Sequence, residues 1–278
     1  MDSFWSAISS WLFLQNAICG GVLTSLVCGV IGPFVHVRQI GYVAGAIAHT
    51  VLGGMGIACY LGKSPLLGAM IAAIFSAVII GWVSLFHRER EDSIINSLWA
   101  AGMALGIIFI YKTPGYDAQL LSYLFGNILM VSNEDLLLMG ILVGVVCLFV
   151  YLFYPVLLAI SFDENFAKIR GIRVGFYYIM LLILVAITTV LLVQIVGLIL
   201  VITLLILPSA ISAQFFRSLP MIIVMAILVG MFFTELGIYF SYLLNFPTGP
   251  TIILLITLVY LTIIAGDYLL KFRVRKRL

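Results

Sequence analysis

Long apolar runs, separated by short polar segments, dominate the sequence between residues 12 and 269. Most runs hold about 20 residues, the length that an α-helix needs to cross the hydrocarbon core of a membrane. Residues 174–216 are too long for one crossing, so they are predicted to fold back once near Gln194 and Gly197. The pattern predicts nine transmembrane helices, near residues 12–34, 41–61, 66–86, 94–111, 136–160, two within 174–216, 221–243 and 251–269. A version with eight helices and one re-entrant or interfacial run stays open.

Two details of the pattern concern the ends of these runs. Gly32-Pro33 is expected to close the first run, because proline interrupts helical hydrogen bonding. Residues 162–173 mix apolar and charged positions, which predicts a short amphipathic helix that Gly171 ends.

The composition agrees with a membrane protein. Of the 278 residues, 64% are hydrophobic and 9% are charged, against about 25% charged residues in soluble domains. The runs are too long and too evenly apolar for the strands of a membrane barrel. We therefore expect an all-α polytopic membrane protein with a single transmembrane domain over residues 1–278.

The positive charges predict the orientation, because Lys and Arg concentrate in cytoplasmic loops. If the loop that carries Arg38 is cytoplasmic, only Lys63 and Lys112 lie outside. The cations on the inner side are then Arg38, Arg88, Arg90, Lys168, Arg170, Arg173, Arg217 and the five of the tail. This split predicts a multi-pass protein of a cell membrane, with its C-terminus in the cytoplasm. The basic tail is expected to face anionic membrane lipid, and no nucleic acid is expected as a partner.

One histidine, His49, lies in the middle of a run rich in small residues, 41–54. An ionisable side chain at this depth is costly unless it faces protein or water, which makes it a functional candidate. Gly41 and Gly45 precede it at helical spacing, and small residues let a neighbouring helix approach closely. Two interpretations stay open: a metal ligand presented to the bundle interior, or a structural imidazole hydrogen-bonded to a neighbouring helix.

One carboxylate, Glu235, lies in the middle of another apolar run, 231–240. A lone carboxylate there must be paired, protonated or bound to a cation, because ionising it without a partner is very costly. Its oxygens and the nitrogens of His49 are both suitable ligands for Mn²⁺, Fe²⁺ or Zn²⁺. The structural alternative is a protonated Glu235 that is hydrogen-bonded to a neighbouring helix.

No motif in the chain predicts catalysis. The segment Leu61-Gly-Lys-Ser64 resembles the end of a phosphate-binding loop, but Ile57 occupies the position of the required first glycine. We therefore expect that the chain is not an enzyme, and that any ATP hydrolysis belongs to a separate subunit.

Several segments carry a family resemblance together. Residues 44–54 match the pattern Gly-Asp-Ala-x-x-His-x-x-x-x-Gly, with His49 in the histidine position. Further matches occur in order along almost the whole chain: Ser122-Tyr-Leu-Phe-Gly-Asn-Ile128, Phe162-Asp-Glu-Asn-Phe-Ala with Gly171, Gln194-Ile-Val-Gly-Leu-Ile-Leu200, Leu205-Ile-Leu-Pro-Ser-Ala210 and Phe246-Pro-Thr-Gly-Pro250. The chain thus resembles the permease subunits of metal-ion ABC importers, the manganese, zinc and iron group.

The resemblance implies a fold similar to the cobalamin and siderophore importers, which are type II ABC importers, and a location in a bacterial inner or plasma membrane. It implies a translocation pathway at the interface of a homodimer or heterodimer with a second permease subunit. The other implied partners are cytoplasmic ATP-binding cassette subunits and an extracytoplasmic metal-binding protein. No intrinsic cofactor is implied, since the divalent metal ion (Mn, Zn or Fe) is the transported substrate. Contact with the ATPase is expected from residues of the segment 208–220: Pro208, Ser209, Ala210, Gln214 and Arg217.

The sequence departs from the family at one position of its metal site. The family pairs an Asp with the His four residues later, and here Gly45 takes the place of that Asp. We hypothesise that Glu235 supplies the missing carboxylate from a different helix. The alternative is an incomplete site that works beside a distinct partner subunit.

A second class of function stays open at this stage. Glu235 would suit a secondary metal transporter driven by an ion gradient, in which it carries a proton. Such transporters often contain inverted repeats, and no repeat is evident here. This favours the ATP-driven importer.

Overall fold

The computed structural model describes residues 10–87, 89, 91–113, 126 and 128–275. Ten α-helices account for most of this part of the chain, with a short 3₁₀ turn at Ile128–Met130. The helices are α1 Leu12–Val37, α2 Gly41–Tyr60, α3 Pro65–Phe86, α4 Glu91–Tyr111, α5 Asn133–Phe162, α6 Glu164–Ile169, α7 Val174–Val196, α8 Leu198–Phe215, α9 Leu219–Leu244 and α10 Thr248–Arg275.

Within the described ranges, nine of these helices are long and apolar enough to cross a membrane, and α6 is the exception. The prediction of nine crossings is confirmed, and no run has to be re-entrant. Some sequence features lie outside the described residues: Arg88, Arg90, the end of the basic tail, and the motif 122–127 apart from Gly126.

The turn predicted near Gly197 separates α7 from α8. Gly197 has φ 87° and ψ 154°, a conformation that a residue with a side chain rarely adopts, so glycine is required there. Gly126, with φ 64°, packs its backbone directly against Val196 and Gly197. Gly126 therefore lies directly on the turn between α7 and α8.

Two helix ends differ in how well the sequence predicted them. The first helix does not stop at Gly32-Pro33 but runs on to Val37. A membrane helix tolerates proline because neighbouring helices and local adjustments satisfy the freed backbone groups. The short helix α6 does form, and the carboxylate of Asp163 accepts hydrogen bonds from the backbone N–H groups of Asn165 and Phe166 at its start.

The core lies between helices α1, α2 and α7, which are largely buried, whereas α4, α5 and α10 expose most of their side chains. The helix α1 packs chiefly against α9, α5 and α8, and α2 packs chiefly against α4 and α3. The bundle thus has two neighbouring groups of helices, one around α1 and one around α2.

A polar network closes the end of the bundle that carries Arg38, which we name the Arg38 end. The Arg38 guanidinium donates to a Glu164 carboxylate oxygen at 2.6 Å and to the Ile160 carbonyl oxygen at 2.5 Å. It also lies 4.3 Å from the ring centroid of Tyr178, in cation–π geometry. These contacts tie the turn between α1 and α2 to α5, α6 and α7.

The network continues from Tyr178 to two further helices. The Tyr178 hydroxyl lies 3.4 Å from the Ser84 hydroxyl, which donates to a Glu91 carboxylate oxygen at 2.5 Å. The Tyr42 hydroxyl donates to the same oxygen at 3.0 Å. The Arg38 network therefore joins the ends of α2, α3, α4, α6 and α7.

Candidate metal site in the middle of the bundle

His49 lies near the middle of its helix, as the sequence predicted. It is the ninth of the twenty residues of α2, about 12 Å along the helix axis from the Arg38 end. Its side chain is half-buried, and its Nδ1 atom is buried with no hydrogen-bond partner in the structure. Nδ1 thus makes no hydrogen bond to a neighbouring helix in the structure, and both interpretations of this histidine remain predictions.

Glycines bring α2 and α4 into backbone contact beside His49. A methyl group added to Gly102 would lie 2.6 Å from the Thr50 Cα atom, and one added to Gly53 would lie 2.7 Å from the Gly102 carbonyl oxygen. One turn further on, Gly56 and Gly106 meet in the same way. Small residues four positions apart allow this approach in membranes. The contacts keep α2 and α4 parallel and in one register.

In this register Trp99 of α4 stacks on His49. The ring centroids are 4.6 Å apart, and the ring planes are inclined by only 15°. A stacked neighbour covers one face of the imidazole and leaves the ring edge, which carries both nitrogens, uncovered by the indole. Sequence analysis did not identify Trp99. The available signal was the motif Gly102-x-x-x-Gly106, which places Trp99 one turn before a close helix contact.

Open space lies one helical turn before His49, at Gly45. Gly45 is buried, yet a methyl group added to it would meet no atom within 4 Å. Residues four apart lie on the same face of a helix. The face of α2 that presents His49 thus has free volume at the position where the family carries its aspartate.

Glu235 lies on α9, directly against Gly21 of α1. A methyl group added to Gly21 would lie 2.9 Å from the Glu235 Oε1 atom, so glycine makes the room for this carboxyl group. The Oε1 atom is buried with no hydrogen-bond partner. Beside it, the hydroxyls of Ser25 and Thr234 are 3.2 Å apart and joined by a hydrogen bond. The carboxyl group therefore lies at a polar contact between α1 and α9.

The described contacts do not bring His49 and Glu235 together. His49 contacts α4, Glu235 contacts α1, and α2 and α9 each pack chiefly against other helices. The described residues contain no group of three or more His, Cys, Asp or Glu side chains that could hold a metal ion. The hypothesis that Glu235 completes the site of His49 remains a prediction.

The residues expected to contact an ATPase divide into two sets. Pro208, Ser209 and Ala210 are buried in the last turns of α8, where Ser209 packs against Gly32 of α1. Gln214 and Arg217 are exposed at the Arg38 end, where α8 gives way to α9. Only the second set lies on the surface of the isolated chain, and the role of both sets remains a prediction.

A groove of about 660 Å³ adjoins this exposed turn. Arg217 and Pro220 form one of its walls, and Tyr154, Phe162 and Phe166 form the other. The turn between α8 and α9 therefore lies next to α6 and, through Glu164, next to the Arg38 network.

The fold and the two polar groups inside it indicate the class of protein. Nine membrane-crossing helices enclose an imidazole and a carboxyl group that have buried, unpartnered atoms, an arrangement typical of membrane transport proteins. The model of the ABC 3 transport family matches residues 10–267. The chain belongs to the ABC 3 transport family, which confirms the resemblance found in its motifs.

Individual relatives match over nearly their full length. The membrane protein slr2045 of Synechocystis sp. is 40% identical over 91% of this chain and 90% of its own. The manganese transport system membrane protein MntC of Halalkalibacterium halodurans is 37% identical over 90% of this chain and 86% of its own. A chain of PsaBC from Streptococcus pneumoniae, solved in complex with a Fab, superposes with a TM-score of 0.84 at 30% identity and covers 93% of both chains.

Proposed function

We propose that the chain is the membrane permease subunit of an ATP-driven importer of divalent transition-metal ions. The observation that carries this proposal is the buried, unpartnered Nδ1 of His49, halfway across a permease of the ABC 3 transport family. An imidazole nitrogen without a hydrogen-bond partner is a costly group to bury, which argues that this histidine is kept for a functional role, namely to hold a passing metal ion through its other ring nitrogen. Membership of an ABC family argues against a gradient-driven secondary transporter.

Manganese is the best-supported substrate within this class. Relatives such as MntC of Halalkalibacterium halodurans are named manganese transport proteins. The chain offers an imidazole at His49 and a carboxyl group at Glu235, a combination that suits Mn²⁺, Fe²⁺ and Zn²⁺. A site with few fixed ligands binds weakly, and weak binding lets the ion leave toward the cytoplasm.

The proposal includes partners and an orientation. ATP would be hydrolysed by separate cytoplasmic subunits that contact the Arg38 end near Gln214 and Arg217, both exposed. A metal-binding protein would deliver the ion at the opposite end, and a second permease subunit would complete the pathway. The charge distribution supports a cytoplasmic Arg38 end and C-terminus.

Metal uptake by cells that express the assembled transporter tests this function. We expect His49→Ala and Glu235→Gln to lower the uptake of Mn²⁺ at least about tenfold, because each removes a metal ligand. Matched controls are His87→Ala and Glu134→Gln, which change the same residue types at exposed positions near the helix ends. Assembly of every variant with its ATPase is checked by co-purification.

Each outcome has a definite meaning. If Mn²⁺ uptake is lost in both His49→Ala and Glu235→Gln but not in the two controls, both residues are supported as metal ligands. Loss with His49→Ala alone makes Glu235 structural. Uptake that stops when the proton gradient is collapsed, and continues with an inactive ATPase, would refute the ATP-driven importer. Competition among Mn²⁺, Fe²⁺ and Zn²⁺ in the same assay identifies the preferred ion.

A further inference from the structure

We infer that Trp99 is a positioning residue of the metal site: its indole holds the His49 imidazole by stacking and leaves the ring edge free for the ion. This inference rests on the proposed function, because it assumes that His49 binds metal. It adds a residue on a different helix that neither the family motif nor any ligand chemistry identifies.

The need for such a residue follows from the hydrogen bonding of His49. A histidine that binds metal through one nitrogen normally donates its other ring N–H to a carboxylate, a carbonyl oxygen or water, which fixes the ring. In the described structure Nδ1 of His49 is buried and has no such partner. Some other contact must restrain the ring, and the stack with Trp99 is the ring contact that the structure provides.

The geometry of the stack suits this role. Lone pairs of imidazole nitrogens lie in the plane of the ring, so a metal ion approaches the ring edge. With an inclination of 15° and a centroid distance of 4.6 Å, the indole lies over one face of the ring. It restrains the plane of the imidazole without occupying the direction from which the ion arrives.

The position of Trp99 is itself held by the helix contact. Gly102 touches Thr50, and Gly106 touches Leu52, so α4 cannot slide along α2 without a backbone clash. Trp99 keeps 37% of its surface exposed, and the other side chains of α4 are mostly exposed as well. Trp99 is therefore not a fully buried core side chain, and its indole stacks on His49.

The test uses the purified permease with its ATPase in lipid nanodiscs or proteoliposomes, and compares wild type with Trp99→Leu and Trp99→Phe. The matched control is Trp82→Leu, since Trp82 is an exposed indole that contacts a different histidine, His87. We expect Trp99→Leu to raise the KM for Mn²⁺ about three- to tenfold with little change in maximal rate. Trp99→Phe, which keeps an aromatic face, should recover most of the loss, and Trp82→Leu should match wild type.

A spectroscopic readout tests whether the bound ion lies beside the Trp99 indole. Zn²⁺ is added to the same complexes, and the tryptophan emission is recorded. An ion bound to the stacked imidazole changes the surroundings of the indole, so the wild-type emission should change. The change should be absent in Trp99→Phe and in His49→Ala, and present in Trp82→Leu.

The outcomes distinguish this inference from the proposed function. If His49→Ala abolishes uptake while Trp99→Leu keeps the wild-type KM, the inference is wrong and the proposed function stands. If His49→Ala transports like wild type, both are wrong. If Trp99→Leu fails to assemble, Trp99→Met replaces it. A wild-type Zn²⁺ signal that persists in Trp99→Phe would then overturn the inference.

Discussion

The polar groups at the Arg38 end and those in the middle of the bundle differ in whether they have hydrogen-bond partners. At the Arg38 end, charged and hydroxyl groups of five helices satisfy one another, and the unpartnered atoms beside them are the Nε of Arg38 and the hydroxyl of Ser161. In the middle, His49 and Glu235 each keep a buried atom without a hydrogen-bond partner, and Gly45 faces open space.

This difference indicates different roles. A satisfied polar network stabilises one arrangement of the helices. Unpartnered groups in a low-dielectric interior destabilise the resting protein, and proteins retain such groups chiefly where they serve function. The Arg38 end thus holds the helices together, while the middle keeps ligands available. Mutations at the Arg38 end should therefore lower mainly the stability of the protein, whereas mutations in the middle should lower mainly its transport activity.

The largest effect is expected from Arg38→Met. The variant removes the charge that faces Glu164, and the two side chains are only 10% and 23% exposed. Breaking such a buried ion pair should lower the free energy of unfolding by about 3 kcal/mol. The double variant Arg38→Met/Glu164→Met should recover part of the loss. Chemical unfolding in detergent measures both, and a single variant as stable as wild type would show that the Arg38 network has no stabilising role.

Glu235→Leu, in contrast to Arg38→Met, is expected to stabilise the protein. Removing a buried carboxyl group with an unpartnered oxygen should raise the free energy of unfolding by about 1–2 kcal/mol, while metal uptake falls. Ser84→Ala is the comparison, because it removes a partnered hydroxyl and should lower stability. A Glu235→Leu variant that unfolds more easily than wild type would indicate that the carboxyl group has a stabilising partner after all.

Two glycines of α2 should respond differently to alanine. The added methyl group of Gly45→Ala meets no atom within 4 Å, so the gain in helix propensity should stabilise the protein by up to about 1 kcal/mol. The same change at Gly53 would place the methyl group 2.7 Å from the Gly102 carbonyl oxygen and should destabilise the protein. Thermal unfolding of the Gly45→Ala and Gly53→Ala variants tests whether there is open space at Gly45. Equal destabilisation by the two changes would argue against such space.

The smallest effect is expected from Thr234→Val, compared with Thr24→Val. Both threonines are fully buried, but the Thr234 hydroxyl bonds Ser25 whereas the Thr24 hydroxyl has no partner in the structure. Loss of a hydrogen bond between membrane helices costs on average about 0.6 kcal/mol. Thr234→Val should therefore be less stable than Thr24→Val by about that amount in equilibrium unfolding. The reverse order would contradict the assigned bonding.

Much of the fold was predictable because the membrane imposes strong rules on sequence. Nine apolar runs, the break at Gly197 and the short helix before Gly171 all follow from run length and turn chemistry. Pro33 did not end α1, because packing inside the bundle overrides the local preference. His49 and Glu235 were predicted as intramembrane polar groups, since each lies inside an apolar run that can be recognised in the sequence without knowledge of the neighbouring helices.

The sequence by itself predicted about nine membrane crossings, placed the chain with the metal-ion ABC permeases by its motifs, and located two polar groups inside apolar runs. Only the tertiary structure decided what surrounds those groups. Trp99 lies against His49 and Gly21 lies against Glu235, because contacts between backbones at glycines set the register of neighbouring helices. The length of the apolar runs specifies which segments enter the membrane. It does not specify which helices pack together, because lipid and protein are equally apolar neighbours. The pairing of helices therefore depends on close packing, which run length does not encode.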